Sequence, residues 1–188
     1  MFYTKKGNEF LDEQTRHSYF NTGLYLAKKA LVLDANFAES HYCMALALGR
    51  INEFSDTKTK IANSKEIKLH IDETIRLNPA HAGAYHILGR WNRTIANFGS
   101  VEKLMINSLY GGVPKGASYE GALNAFIKAV AFEPNFKLHQ YELAQTYLEM
   151  GKKANAKVWF QKVLKIKSNN ESEKLIDEKC INALKELN

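Results

Sequence analysis

The feature that most constrains this chain is a pattern of small and large apolar residues that recurs at one helical spacing. Residues 137–168 carry Gln140, Leu143, Ala144 and Tyr147, then Ala156, Phe160 and Val163, and close on Ser168. Residues 82–134 carry Tyr85, Leu88, Gly89 and Asn92, then Ala122, Phe126 and Ala129, and close on Pro134. Residues 38–79 repeat it more loosely, with His41, Met44, Ala45 and Leu48, then Ile67, Ile71 and Thr74, and Pro79. A fourth unit shows only its second half, Gly23, Ala27 and Ala30, with Ala35 in the closing slot. Small residues let two antiparallel helices approach, and large ones fill the space between pairs. One such pair cannot bury its own apolar face, so neighbours must stack into a continuous core. At Asn78-Pro79 and Glu133-Pro134 the proline ends a helix, because the residue before it is pushed out of the α region.

This spacing resembles the tetratricopeptide (TPR) signature, W-x2-L-G-x2-Y, then A-x3-F, then P, over about 34 residues. The expected fold is therefore all-α: a TPR-like helical-repeat solenoid, an α-α superhelix, closed by a C-terminal capping helix. One domain is expected over residues 1–188. Its repeats are a partial one at 1–36, then 37–80, 81–135 with an insert at 99–118, and 136–168, followed by the cap at 171–187.

Size and composition narrow the choice further. With 188 residues the chain is large enough for a real core, and its 45% apolar content rules out a disordered polymer. No apolar stretch approaches the roughly 20 residues that span a bilayer. The start, Met1-Phe2-Tyr3-Thr4-Lys5-Lys6-Gly7, lacks a signal peptide's basic and apolar regions. Phe2-Tyr3 followed by Gly7-Asn8 reads as the end of a helix whose beginning is missing, so an absent N-terminal anchor or signal is expected. The compartment stays unassigned, cytoplasmic by default. Cys43 and Cys180 show no C-x-x-C spacing and read as buried free thiols.

The net charge of +6 is concentrated late in the chain. Lys152, Lys153, Lys157, Lys162, Lys165 and Lys167 occur with no acidic residue between 150 and 170. Such an excess suits an anionic surface: a phospholipid head group, an acidic tail or nucleic acid. The plainer reading is a solvated helix face. Aromatics do not interleave with these lysines on a common exposed face, which argues against nucleic acid.

Hydrophobic spacing predicts helices over 10–34 (broken near Ser18–Gly23), 37–50, Lys58–Leu77 and His81–Phe98, with a polar link at Asn52–Thr57. The closing slots at Ala35, Pro79, Pro134 and Ser168 are 44, 55 and 34 residues apart, so the middle unit is long. Within its extra residues, Val101, Leu104, Met105, Leu109 and Tyr110 lie at helical spacing, before the turn-rich Gly111-Gly112-Val113-Pro114-Lys115-Gly116. The insert reads as a short amphipathic helix and a loop. Either it covers the concave groove as a lid over an apolar pocket, or it fills a gap between repeats; dipping into a membrane is a third reading. In the final helix, Asn170 is expected as N-cap with Glu173 reaching back. Leu175, Ile176, Cys180, Ala183, Leu184 and Leu187 form its apolar face, and such a terminal cap hides the last interface of a solenoid.

No catalytic, cofactor-binding or metal-ligating set emerges. Histidines 17, 41, 70, 81, 86 and 139 never fall at i, i+4, nor join Cys, Asp or Glu at ligand spacing, and read as structural. Gly111–Ser118 lacks the order of a phosphate-binding loop, and no nucleophile elbow is present. The chain is expected to be a non-enzyme without cofactor or metal.

The wording within the repeats resembles a particular family. Lys60-Ile61-Ala62-Asn63, Ile67-Lys68-x-His70 and Ile75-x-Leu77-Asn78-Pro79 are similar to the middle repeat of the regulator of microtubule dynamics family. His86-Ile87-Leu88-Gly89-Arg90-Trp91 is similar to its following helix. So are Ser118-Tyr119-Glu120-x-Ala122-Leu123, Phe126, Ala129 and Glu133-Pro134-Asn135-Phe136. The likeness covers roughly residues 20–180, insert included. It implies a TPR-like domain without enzymatic activity. Animal members are linked with microtubules, or tether the endoplasmic reticulum to mitochondria through an N-terminal membrane anchor. For one branch, phospholipid binding and transfer by this domain is proposed.

Two functional expectations follow. The first is a scaffold binding a peptide or protein partner in its concave groove. The second is a lipid or small-molecule module, with the 99–118 insert as lid. The residues expected at such a site are Tyr85, Trp91, Leu104, Met105, Leu109 and Tyr110. The capping helix argues for a monomer.

Overall fold

The computed structural model describes residues 12–109, 112 and 114–187. Among these, every regular element is helical: α1 (Glu13–Leu33), α2 (Ala38–Ile51), a 3-10 turn (Asn52–Phe54), α3 (Thr57–Leu77), α4 (Ala82–Ala96), α5 (Ser100–Leu109), α6 (Tyr119–Phe132), α7 (Lys137–Glu149), α8 (Lys153–Leu164) and α9 (Glu171–Glu186). Phe2, Tyr3, Gly7 and Asn8, like Tyr110, Gly111 and Val113, lie outside the described residues.

Local chemistry sets the helix ends. The Asp12, Asp56, Ser118 and Asn170 side chains each accept a hydrogen bond from the backbone N–H three residues on, satisfying an orphan donor of the first turn. His81 does the same for α4 through Nδ1, 3.1 Å from Ala84 N. Glu173 reaches back as expected, although to the backbone N–H of Asn169 (2.7 Å) rather than that of Asn170. Asn78 and Glu133 leave the α region just before their prolines. After α7 the chain turns through Gly151, whose φ of 73° falls in the left-handed region that glycine enters without strain.

One expectation fails here. Helix α1 runs unbroken through Ser18–Gly23. The Asn21 amide and the Thr22 hydroxyl donate to the His17 and Ser18 carbonyls one turn earlier, so both polar groups are satisfied within the helix. Gly23 shares a buried face with Phe20 and Ala27, so it serves close packing rather than a break.

The helices pack as the repeats require. Antiparallel hairpins are α2/α3, α4/α6 and α7/α8; α1 lies on α2, α3 on α4, α6 on α7, and α9 covers α7 and α8. Direct α2–α4 and α4–α7 contacts place these three first helices side by side in one layer. The core follows the hairpins. Ala45, Leu48, Ile67, Ile71, Ala84, Trp91 and Ile95 form one cluster, and Ala122, Leu123, Phe126 and Leu143 the next. Ala144, Ala156, Phe160, Val163 and Cys180 join the last hairpin to α9. Phe126 and Phe160 are fully buried, each worth about 2–3 kcal/mol of transfer free energy. Gly89 shows why the small position is small: a Cβ there would lie 2.6 Å from the Phe126 ring. Cys43 and Cys180 are free and buried, and burial pushes the Cys180 thiol up to about 12. No helix among the described residues is long and apolar enough to cross a membrane.

Candidate functional site

The layer α2–α4–α7 is formed by the first helices of the repeats. Its surface is charged and internally bridged. Arg93 on α4 forms an ion pair with Glu142 on α7 and also donates to the Glu142 carbonyl at 3.1 Å. Arg90, with a side chain 51% exposed, stands 3.8 Å from the other Glu142 oxygen. Glu149, two turns further along α7, lies 3.6 Å from Arg93. Burial raises the Glu149 carboxyl above its ordinary value, and the Arg93 charge opposes that rise. On α2, Arg50 pairs with Glu53, which also holds Arg16 of α1.

Beneath these charges lie two histidine pairs that link helices far apart in sequence. His41 Nε2 sits 2.9 Å from the Ala35 carbonyl, which can only accept, so Nε2 carries the proton. His41 Nδ1 faces His70 Nδ1, 2.9 Å away on α3. His139 on α7 repeats the arrangement. Its Nε2 faces the Glu133 carboxylate at 3.2 Å, and its Nδ1 meets His86 Nδ1 of α4 at 2.9 Å. Burial, followed by the charges of His139, Arg90, Arg50 and Arg93, holds His86 well below the usual histidine value. Burial also lowers His139, against the pull of Glu133. Gln140 donates to the Pro134 carbonyl at 2.7 Å, matching the His41 bond at the same position two repeats earlier. Spacing at i, i+4 along one helix contains neither pair, whose members are 29 and 53 residues apart. Only the repeat register could have brought them together.

The residues expected at a binding site divide. Tyr85 and Trp91 are buried at 6% and 7% exposure. Tyr85 stacks on Phe132, and Trp91 packs in the first core cluster while its Nε1–H donates to the Ser64 carbonyl. Both fill space between helices and present no groove wall. In α5, Leu104, Met105 and Leu109 point to solvent with Val101, at 55–74% exposure, and only Ile106 is buried. The sequence reading overlooked Ile106, the side chain that anchors the insert. Two surface depressions, of about 460 Å³ beside His17 and Phe54 and about 210 Å³ beside Val158 and Trp159, include no residue of α5. Tyr110, the sixth expected residue, lies outside the described residues.

No group of three or more His, Cys, Asp or Glu side chains among the described residues is placed to hold a metal ion. The histidine pairs direct their Nδ1 atoms at each other. The α2–α4–α7 layer thus presents charged and hydrogen-bonding groups, and α5 presents an open apolar face.

Comparison with known proteins agrees with this reading of the fold. The crystal structure of MamA superposes with a TM-score of 0.55 over 95% of this chain and 94% of that one, at 18% identity, which supports the TPR-like architecture alone. Regulator of microtubule dynamics protein 1 from Bos taurus is 31% identical over 163 residues, 86% of this chain and 51% of its own length. The Homo sapiens protein of that name matches at 31% over 162 residues. Protein 3 from Xenopus laevis matches at 31% over 151 residues, 80% of this chain and 32% of its own. The chain thus spans about half the length, or less, of these relatives. Neither family nor fold points to a catalytic class. The family model described as Regulator of microtubule dynamics protein 1-3 matches residues 1–188, and the chain belongs to that family.

Proposed function

We infer that this chain is a non-catalytic TPR-like scaffold, acting as one monomeric domain, that binds a peptide or protein segment along the α2–α4–α7 layer. The observation that carries the reading is the half-exposed Arg90. Its neighbours Arg50 and Arg93 lie close enough to act on the same imidazole, His86, and each is already held by a carboxylate, Glu53 or Glu142. Arg90, 3.8 Å from Glu142, retains donors to offer a partner's carboxylate or carbonyl. The relatives' names connect them with microtubule dynamics, and a cytoskeletal protein is accordingly one partner to test. A photo-crosslinking residue at position 49, an exposed α2 site next to Arg50, should yield protein adducts in cell extract that Arg90→Glu diminishes. Absence of adducts, or adducts indifferent to Arg90→Glu, would remove the groove reading.

A second reading has its own observation, the exposed stripe Val101–Leu104–Met105–Leu109. Here the 99–118 insert closes over an acyl chain, and the domain carries phospholipid. Native mass spectrometry of the protein before any delipidation separates the two: a bound phospholipid mass that the Leu104→Asp, Met105→Asp, Leu109→Asp triple variant loses supports the lid. A clean apo mass favours the scaffold, and the same spectrum tests the monomer.

A further inference from the structure

The face of α8 turned away from the core combines charge and shape in a way the groove reading does not use. Helix α8 buries Ala156, Phe160 and Val163. Its opposite side shows Ala154, Asn155, Val158 and Lys162; exposed Lys153 opens the helix, Lys165 caps its C-terminus, and exposed Lys167 follows in the next loop. Glu120 pairs with Lys152 at 3.3 Å. Lys153, Lys165 and Lys167 have no carboxylate partner among the described residues. Lys162 lies over the Trp159 ring, 3.9 Å from its centroid. Beside that stacked pair is the depression of about 210 Å³, bounded by Ala154, Asn155, Val158 and Trp159. It is too small for a whole ligand of drug size and has room for one apolar side chain.

We propose that this face of α8 is a second docking surface, which takes an extended acidic segment of a protein partner with one apolar residue seated in the Val158–Trp159 notch. Charge complementarity is the argument: four exposed lysines, Lys153 and Lys165 at the helix ends, Lys162 between them and Lys167 just beyond, accompany a helix with no acidic residue. The distance from Lys153 to Lys165 along the helix is about 18 Å. An extended chain covers that with about five or six residues, so alternate carboxylates reach successive lysines while a side chain between them enters the notch. A lipid surface fits less well, because Val158 is the one large aliphatic side chain α8 exposes. Single-stranded nucleic acid stacks on open aromatic faces, and the Trp159 face is covered by Lys162.

The test uses a fluorescein-labelled peptide of glutamates flanking one leucine, followed by fluorescence anisotropy on the whole chain. The peptide should bind, and raising salt from about 50 to about 200 mM should weaken it severalfold as the charges are screened. The triple variant Lys153→Glu, Lys162→Glu, Lys165→Glu should weaken it about tenfold or more. Val158→Asp should also lose binding, whereas Lys65→Glu, at an exposed lysine of α3, should not. If the triple variant melts early, the neutral pair Lys162→Gln, Lys165→Gln should still weaken the peptide about threefold. No binding to the native chain, or equal binding by a folded charge-reversed variant, overturns the proposal. Tighter binding to phosphatidylserine vesicles or to an oligonucleotide at the same salt overturns the assignment to a protein segment.

Discussion

Helices α5 and α9 both lie outside the repeated hairpins, and both carry an apolar stripe, yet they meet opposite fates. Helix α9 sets Cys180 into the core with Ile176, Ala183, Leu184 and Leu187 against the last hairpin. Helix α5 buries Ile106 alone and leaves Val101, Leu104, Met105 and Leu109 in solvent. The difference lies in what receives them. Beyond α8 no further hairpin follows among the described residues, so the last interface is open for α9 to cover. Helix α5 connects α4 and α6, which already pack on each other and leave it no apolar surface of equal size. An amphipathic stripe therefore specifies a helix, while its neighbours decide whether the stripe is core or display.

This contrast can be broken experimentally, most severely at the α9 end. Phe160→Ala should cost about 3–5 kcal/mol in chemical denaturation, because it empties fully buried space beneath α9. Next comes the polar lock of the same helix. The Lys137 ammonium, only 1% exposed, donates to Asp177 at 2.6 Å and to Ser168 at 2.5 Å, and the Ser168 hydroxyl donates to Asp177. Asp177→Ala strands a buried cation and should cost about 3 kcal/mol. Lys137→Met leaves only a partly exposed carboxylate and should cost about 1 kcal/mol. Equal losses would mean that the ammonium is not the buried member that matters.

A smaller effect should come from acid. Burial disfavours protonation of His86 and His139 in the folded chain, whereas the unfolded chain protonates near the ordinary histidine value. Their contribution is thus complete above that value and is lost as pH falls through it. The melting temperature should drop between about pH 7 and pH 5, and His86→Gln should flatten that drop. At α5 the expected change is least. The Leu104→Asp, Met105→Asp, Leu109→Asp triple variant should alter stability by no more than about 0.5 kcal/mol per site. A large loss there would show that the stripe is covered in solution and would turn the comparison around.

Much of the fold was readable in the repeats. The predicted 37–50 and Lys58–Leu77 helices correspond to Ala38–Ile51 and Thr57–Leu77, since the periodic residues and the closing prolines act locally. Asn170 caps as its side chain predicts. Gly23 misled, because a glycine that admits a neighbouring helix looks in sequence like one that ends its own. The site was less legible. Tyr85 and Trp91 are large aromatics at repeat positions, and nothing local distinguishes one that fills the core from one that walls a groove. The histidine pairs depend on register between hairpins, which pairwise spacing along one helix does not contain.

The fit of Phe126 against Gly89 also bears on how this domain can change over generations. Adding a methyl group at position 89 first would drive it into the ring, with 2.6 Å where ordinary contact needs about 3.4 Å or more. Shrinking residue 126 first leaves a void, which weakens the hairpin but does not collide with anything, and a later alanine at 89 would fill part of it. Drift between the two forms can therefore proceed in one order only. Lineages that keep phenylalanine at 126 remain bound to glycine at 89.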